Sequence, residues 1–203
     1  MNYILASKSP RRSEILQNLG IPFRVVTADT DENSSLTDPC ALVEELSRRK
    51  GEAVRQKLLS EGEELLGTVI ISSDTVVATA EGEILGKPRN EADACRMLGL
   101  LEGKTHRVVS GISLLGTLAD GKTVVGTSHE VTLVTFDSMD ADTVLRYVRA
   151  TNPYDKAGAY AIQGKGRDLV EKFTGDYANI IGLPVDRLVM ILQMVGALPN
   201  DEV

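Results

Sequence analysis

The sequence contains no tryptophan, and aromatic residues make up only 4% of its 203 positions. A protein that stacks single-stranded nucleic acid on its side chains needs several aromatic rings, which this chain hardly supplies. Basic residues are also in deficit: 22 Lys and Arg against 29 Asp and Glu give a formal net charge of -7. This is the wrong sign for a protein whose main partner is a long polyanion. We therefore expect no stable nucleic-acid binding, and any basic site must be local.

The chain is also poor in cysteines and in long apolar runs. Cys40 and Cys95 lie in helix-like segments without CxxC or Cys/His spacing, which argues against a zinc site or a disulfide framework. No apolar run approaches the length of a membrane span. The short apolar stretch at the N-terminus precedes its basic pair, which is the reverse of a signal peptide. We expect a cytoplasmic protein that does not associate with membranes.

What remains is a composition typical of compact globular chains, with 42% hydrophobic and 25% charged residues. Strand and helix patterns alternate early and give way to a β-meander, which predicts a mixed α/β fold: an elongated mixed sheet with flanking helices. No composition shift marks a linker, so we expect residues 1–203 to form a single domain of two lobes around a central cleft. The predicted strands cover residues 2–6, 23–27, 68–79, 84–86, 105–118 and 123–136, the predicted helices cover 11–19, 39–59, 91–101, 140–149 and 184–196, and residues 157–166 are typical of a strand and a loop.

One apparent nucleotide motif is rejected. Residues 116–123 satisfy the phosphate-loop pattern GxxxxGK[ST]. That loop works only between a strand and a helix, because the amides of the helix N-terminus must point at the phosphates. Here the pattern continues as a strand, and a hairpin turn at Asp120-Gly121 explains the motif without a ligand.

A better anion site lies at residues 7–12, SKSPRR, between a predicted strand and a predicted helix. Ser9 suits the N-cap and Pro10 suits the first helical position. Unpaired N–H groups and the helix dipole favour an anion there. Arg11 and Arg12 would oppose the dipole unless an anion lay between them. The segment is therefore either a phosphate-binding site or a capped surface helix.

Asp74 stands inside a strand that is otherwise rich in β-branched residues. A buried carboxylate is costly unless it is paired, binds a metal or acts as a base, so Asp74 is either functional or a hydrogen-bonded core residue. Lys50, Lys87 and the acidic pair Asp31-Glu32 each suit a solvated surface. In one cleft, they would supply cations for phosphates and carboxylates that hold Mg²⁺ and activate water.

The segment 154–164, YDKAGAYAIQG, combines small residues with a single carboxamide. The amide of Gln163 can donate and accept side by side, which complements the O4 and N3–H edge of uracil or thymine. The alternative is a glycine-containing core strand that leaves Gln163 exposed.

These motifs carry a resemblance to a known family. The chain resembles the Maf family of nucleotide pyrophosphatases over nearly its whole length. Single motifs such as SPRR or GKP mean little, but their joint occurrence in this order is highly specific. The matching segments are LASKSPRRSEIL, Asp31-Glu32, Lys50, SSDTVV, GKPRNEADA, DKAGAYAIQG and GLPVDRL.

The resemblance implies a Maf or ITPase-like fold and hydrolysis of nucleoside triphosphates to monophosphate and pyrophosphate with a divalent cation, Mg²⁺ or Mn²⁺. It also implies a homodimer. The block DKAGAYAIQG is similar to the branch that hydrolyses dTTP and UTP, and modified pyrimidine triphosphates are further candidate substrates. Such an enzyme would keep non-standard nucleotides out of nucleic acids and could be linked to cell-division arrest. The alternative is a nucleotide-binding regulator of septum formation whose hydrolysis is incidental.

The resemblance also implies roles for individual residues. Asp74 would be the catalytic proton acceptor and, with Glu32, a metal ligand. Base preference and phosphate contacts would involve two further groups: Arg11, Thr75 and Gln163 for the base, and Ser9, Arg12, Lys50, Lys87 and Lys156 for the phosphates, with Asp155 as another polar motif position. Two residues depart from the family pattern, where Ala is common: Ser73, and Gly51, which weakens a helix interior by about 0.5–1 kcal/mol.

Overall fold

The computed structural model describes residues 1–198, in which strands and helices alternate. None of the helices in this part of the chain is long and apolar enough to cross a membrane. The strands are β1 (Asn2–Leu5), β2 (Phe23–Val25), β3 (Thr68–Ala78), β4 (Ile84–Leu85), β5 (Thr105–Thr117), β6 (Thr123–Phe136) and β7 (Val170–Thr174). The α-helices are α1 (Pro10–Asn18), α2 (Pro39–Ser60), α3 (Glu91–Leu101), α4 (Ala141–Thr151), α5 (Tyr177–Ile181) and α6 (Val185–Met194).

The seven strands of residues 1–198 all belong to one sheet, which confirms the predicted mixed α/β architecture. The order is β2-β1-β3-β5-β6-β7, and β4 pairs with β3 outside this path. Strand β1 is parallel to β2 and β3, whereas β5, β6 and β7 are antiparallel to their neighbours. The sheet is therefore parallel where β2, β1 and β3 pair, and antiparallel from β3 through β5 and β6 to β7.

A gap in the pairing of β3 creates the space for a site. On one side β3 pairs with β5 along its whole length. On the other side, β1 pairs with it only over Thr68–Ile71, and β4 only at Val77 and Ala78. Within the described chain, residues 72–76 therefore have no strand neighbour on that side. The gap opens at the carboxyl end of a parallel strand, where ligands bind in α/β sheets.

The same stretch of β3 carries a polar band. On one face of the strand, Ser72 and Asp74 contact α2. On the opposite face, Ser73 donates a hydrogen bond to the Gly182 carbonyl oxygen, and Thr75 accepts one from Arg12. Ile71 before this band and Val77 after it are apolar and buried, and they belong to two separate hydrophobic clusters. The polar residues that interrupt the predicted strand are thus all hydrogen-bonded, and two of them, Asp74 and Thr75, line the space beside the gap.

Helix α2 lies unusually close to the sheet because two glycines leave room for it. A Cβ on Gly111, which pairs with Asp74 across the strands, would lie 2.2 Å from the Val43 carbonyl oxygen in α2. A Cβ on Gly51 of α2 would lie 2.8 Å from Ser72 Oγ. The helix-weakening Gly51 is therefore explained by packing, and the close approach brings its neighbour in sequence, Lys50, to the polar band.

The rejected phosphate-loop pattern is a hairpin turn, as predicted. Strands β5 and β6 pair over their full lengths, and the Leu118 amide donates to the Lys122 carbonyl oxygen at 2.8 Å. Gly121 has a φ of +86°, a backbone conformation that glycine adopts without strain. No helix follows the turn, because the chain continues directly into β6.

The prediction for residues 157–166 is wrong. This stretch holds a 3-10 helix at Ala157–Ala159 and the start of another at Gly164–Leu169, and the strand begins only at Val170. Small residues at irregular spacing allow tight turns as readily as a strand, so composition does not separate the two. The short helix α5 also escaped the sequence analysis.

Gly51 offers a direct test of how close α2 lies to the sheet. Alanine there should gain about 0.5–1 kcal/mol of helix propensity but lose about 1–3 kcal/mol to overpacking against Ser72 and Leu115. We expect Gly51→Ala to lower the free energy of unfolding in urea by about 1 kcal/mol, and by less in a Ser72→Ala background.

The matched control is Gly99→Ala in α3, where an added Cβ meets no atom within 4 Å. That variant should be stabilised by about 0.5–1 kcal/mol. Stabilisation of both alanine variants to the same extent would show that Gly51 is not required by packing.

Candidate active site

The gap beside β3 opens into a cleft of about 680 Å³. All ten residues to which the sequence analysis gave a role line it, although they come from separate parts of the chain. Asp155 lines the cleft as well, whereas Asp31 does not and instead accepts hydrogen bonds from Asn33. The ten residues are Ser9, Arg11, Arg12, Glu32, Lys50, Asp74, Thr75, Lys87, Lys156 and Gln163.

The cleft is basic although the protein is acidic. Six Lys or Arg side chains line it, against four carboxylates, whereas the whole chain has a net charge of -7. A pocket with an excess of one sign of charge concentrates ligands of the opposite sign. The local basic site required by the composition is therefore present, and its size and charge suit a small polyanion.

Helix α1 begins at the cleft without a side-chain cap. Ser9 occupies the N-cap position and Pro10 the first helical position, as predicted, but the Ser9 side chain makes no capping hydrogen bond. In contrast, α2, α3, α4 and α5 are each capped by an Asp or Asn side chain. The first-turn amides of α1 are thus left open to an anion in the cleft.

Arg12 is held within the protein. Its Nε donates to the Gly182 carbonyl oxygen at 2.7 Å, and its Nη1 donates to the Ser73 carbonyl oxygen at 2.7 Å and to Ser7 Oγ at 3.2 Å. Its Nη2 donates to Thr75 Oγ1 at 3.2 Å. Four of the five N–H groups of a guanidinium are used in this way. Arg12 therefore fixes the start of α1 against β3 and has one N–H left for a ligand.

The carboxylates of Asp74 and Glu32 both form ion pairs with the same side chain, Lys50. The Lys50 ammonium pairs with Asp74 Oδ1 and lies 2.7 Å from Glu32 Oε1. Asp74 is only 9% exposed, so this ion pair offsets the cost of burying its charge. The hydrogen bond from Lys50 lowers the pKa of Glu32, which keeps this carboxylate ionised near neutral pH.

Glu32 and Asp74 suit a hard divalent cation, which prefers oxygen ligands. An ammonium group already lies between them, so the position suits positive charge. The described residues contain no cluster of three or more Asp, Glu, His or Cys side chains that could hold a metal. Mg²⁺ commonly binds through one or two carboxylates, waters and substrate phosphates. Glu32 and Asp74 therefore fit an ion that arrives with a phosphorylated substrate.

Two of the three predicted base-reading residues are open to a ligand. Arg11 and Gln163 line both the main cleft and a smaller adjoining cavity of about 370 Å³, and neither side chain is hydrogen-bonded within residues 1–198. Thr75 is already engaged, since its Oγ1 shares a 2.8 Å hydrogen bond with Ser110 Oγ and accepts from Arg12. Thr75 therefore forms part of the cleft wall, but its hydroxyl is already hydrogen-bonded to other residues of the protein.

The segment that carries Gln163 is anchored by a buried tyrosine. Tyr160 lines the cleft, and its hydroxyl shares a 2.8 Å hydrogen bond with Nε2 of His106 on β5. Both rings pack edge-on against Phe136. Ala159 has a φ of +61°, which is uncommon for a residue with a Cβ. Such a backbone conformation persists only where surrounding contacts hold it, and the His106–Tyr160 pair supplies them.

Sequence reasoning gave no individual role to several polar residues of the cleft, among them Lys8, Asp29 and Thr30. Lys8 lines it beside Ser9, and its place in the SKSPRR segment was a usable signal. Asp29 and Thr30 come from the irregular loop before α2, where no periodic pattern exists to interpret. The Thr30 hydroxyl is buried and has no hydrogen-bond partner among the described residues.

Comparison with known proteins identifies related chains. The model of the family described as Maf-like protein matches residues 2–195. A dTTP/UTP pyrophosphatase of Symbiobacterium thermophilum is 41% identical over 194 residues, which cover 95% of this chain and 93% of that protein. A dTTP/UTP pyrophosphatase of Bacillus cereus is 41% identical over 191 residues, which cover 94% and 93%.

A solved structure supports the fold alone. The Ham1 protein of Staphylococcus aureus superimposes with a TM-score of 0.52 at 15% sequence identity, over 96% of this chain and 97% of that one. The ITPase-like fold expected from the sequence is therefore confirmed.

His106 makes the stability of the protein depend on pH. Burial lowers its pKa from 6.5 to about 4, so the folded state disfavours a proton that the unfolded chain binds. Its contribution is complete above about pH 6.5 and is lost as the pH falls toward 4. The free energy of unfolding should fall between pH 7 and pH 5 both in the parent and in a His106→Gln variant. We expect the fall to be about 2 kcal/mol smaller in the variant than in the parent.

The control is His129→Gln, which removes the other histidine, a half-exposed side chain that pairs with Glu44. Urea unfolding at pH 7, 6 and 5 measures all three proteins. Parallel pH profiles for the parent and His106→Gln would contradict the prediction.

Proposed function

Because the chain belongs to the Maf family, we propose that it is a nucleoside triphosphate pyrophosphatase that converts dTTP and UTP to the monophosphate and pyrophosphate. The observation that carries this proposal is the position of Asp74: a buried carboxylate facing a cleft that six cationic side chains line. A carboxylate amid cations suits attack by water on a highly charged phosphoanhydride.

The triphosphate chain is assigned to the basic part of the cleft. Lys8, Lys87 and Lys156 supply positive charge, and the uncapped start of α1 supplies amides. Ser9 stands at that start and is the candidate for a hydroxyl contact. A four-fold negative triphosphate gains from both kinds of donor, because charged hydrogen bonds in a partly closed cleft are the stronger ones.

The base is assigned to the Arg11 and Gln163 side of the cleft. The carboxamide of Gln163 can donate to O4 and accept from N3–H of uracil or thymine, a pattern that cytosine reverses. Gln163 is solvent-exposed in the free protein, and the anchored segment Tyr160–Gln163 limits where its amide can go. Arg11 adjoins it and lines both cavities.

The reaction assigns one proton transfer to Asp74. A water oxygen attacks the α-phosphorus, the bond from that phosphorus to the bridging oxygen breaks, and pyrophosphate leaves with the electron pair. Asp74 orients the water and accepts its proton. In the free protein, Oδ1 of Asp74 pairs with Lys50 and Oδ2 makes no hydrogen bond within residues 1–198. Oδ2 is therefore the oxygen assigned to the water.

Glu32 and Asp74 are the residues assigned to a divalent cation. A bound Mg²⁺ or Mn²⁺ ion would neutralise charge on the phosphate oxygens. The protein contributes the placement of the two carboxylates, one from the loop before α2 and the other from β3. The homodimer, the cytoplasmic location and the link to cell division remain predictions.

Removal of the proposed base tests this assignment. Asp74→Asn keeps the size of the side chain but cannot take up a proton, so we expect pyrophosphate release from dTTP to fall by about 10²- to 10⁴-fold. The matched control is Asp29→Asn, which changes an exposed carboxylate in the same cleft and should stay within about threefold of the parent. Parental turnover by Asp74→Asn, with the fold intact by circular dichroism, would show that Asp74 is not the base.

Base preference tests Gln163. We expect Gln163→Ala to reduce the ratio of kcat/KM for dTTP over dCTP by about tenfold, because the paired donor and acceptor are lost. Gln163→Glu keeps the size and the acceptor but removes the donor, so it should reduce the same ratio.

The control for both variants is Gln17→Ala, which changes an exposed glutamine on α1 away from the cleft and should leave the ratio unchanged. A preference that survives both Gln163 variants would remove this residue from base reading.

A further inference from the structure

Lys50 occupies a position that the family assignment alone does not explain. Its side chain is 19% exposed, and its ammonium contacts carboxylates from two separate elements, Glu32 at 2.7 Å and Asp74. A residue whose task is to bind phosphate would direct its charge at the open cleft. Lys50 instead directs its charge at the two carboxylates assigned to the divalent cation.

An ammonium and a metal ion cannot share this position. The ammonium lies within hydrogen-bonding distance of both carboxylates, whereas Mg²⁺ would need oxygen ligands from the same two groups at about 2.0–2.1 Å. Both ions are positive, so they also repel at this distance. A divalent cation that binds the two oxygens contacting Lys50, Glu32 Oε1 and Asp74 Oδ1, must therefore displace the ammonium.

We propose that Lys50 is an internal, displaceable cation that holds the metal-binding carboxylates together in the free protein and weakens metal binding until a triphosphate arrives. This inference rests on the proposed function, because Glu32 and Asp74 are metal ligands only there. It extends that function by making Lys50 a positioning residue with two alternative partners.

Lys50 has a partner of opposite charge both without and with a bound nucleotide. Without an ion, Lys50 prevents two carboxylates from facing each other unpaired, which would be costly for Asp74 at 9% exposure. With a nucleotide bound, the phosphates offer the displaced ammonium new oxygens in the same cleft, which Lys50 already lines. Metal and triphosphate are therefore expected to bind cooperatively, each favouring the arrangement that the other needs.

Lys156 provides a closely matched control. Its side chain is 20% exposed, close to the 19% of Lys50, and it too pairs with a cleft carboxylate, Asp155. Asp155 is not one of the two carboxylates assigned to the metal. Lys156→Gln therefore removes the same charge from the same cleft without vacating the proposed metal position.

The test is a titration of the nucleotide-free protein with Mn²⁺, followed by the electron paramagnetic resonance signal of the unbound ion. We expect Lys50→Gln to bind Mn²⁺ at least about tenfold more tightly than the parent, and Lys156→Gln to change the affinity by less than about threefold. Lys50→Arg keeps the positive charge and should retain the weak binding of the parent. Unchanged or weaker binding by Lys50→Gln, or equal tightening by Lys156→Gln, would overturn the proposal.

Thermal unfolding supplies a second readout. In EDTA, Lys50→Gln should unfold at a lower temperature than the parent, and Mn²⁺ should raise its transition by more than that of the parent. A variant that is unfolded in EDTA should regain its structure with Mn²⁺, and failure to do so would contradict the proposal. The titration needs no nucleotide, whereas pyrophosphate release tests the proposed function, so the two can fail separately.

Discussion

The structure depends on one charged contact inside a sheet, the ion pair between Asp74 and Lys50. A carboxylate at the centre of a long buried strand is tolerated only if a cation reaches it. The cation comes from α2, and α2 reaches the strand because Gly51 and Gly111 remove the side chains that would keep them apart. The helix position, the glycines and the broken pairing along one side of β3 all serve this contact.

The charge of the cleft is opposite in sign to the net charge of the whole protein. The chain as a whole is acidic, yet cationic side chains outnumber carboxylates in the cleft. Most of the negative charge therefore lies elsewhere, where it keeps other polyanions away and helps solubility. We expect this arrangement to favour a small polyanion over a nucleic acid, because a long backbone would also meet the acidic exterior.

Local pattern and chemistry in the sequence were enough to predict most of the fold, whereas cleft residues such as Thr75 and Lys156 were predicted only from the resemblance to the Maf family. Strong periodicity marked the long elements, and Asp74 stood out because a charge inside a β-branched run requires a reason. Residues 157–166 were misjudged, because their turns are held by distant contacts such as the hydrogen bond between Tyr160 and His106. The internal role of Arg12 was also invisible, since its partners at Ser73 and Gly182 are far apart in sequence.

The partners of Arg12 also constrain the order of events during synthesis. The guanidinium near the start of the chain binds the carbonyl oxygen of Gly182, 170 positions later. Domains form as units while the ribosome extends the chain from its N-terminus. A nascent polypeptide that has not yet reached Gly182 would expose the basic segment 7–12 without the hydrogen bond that holds Arg12, so the pocket forms only after this glycine has been added.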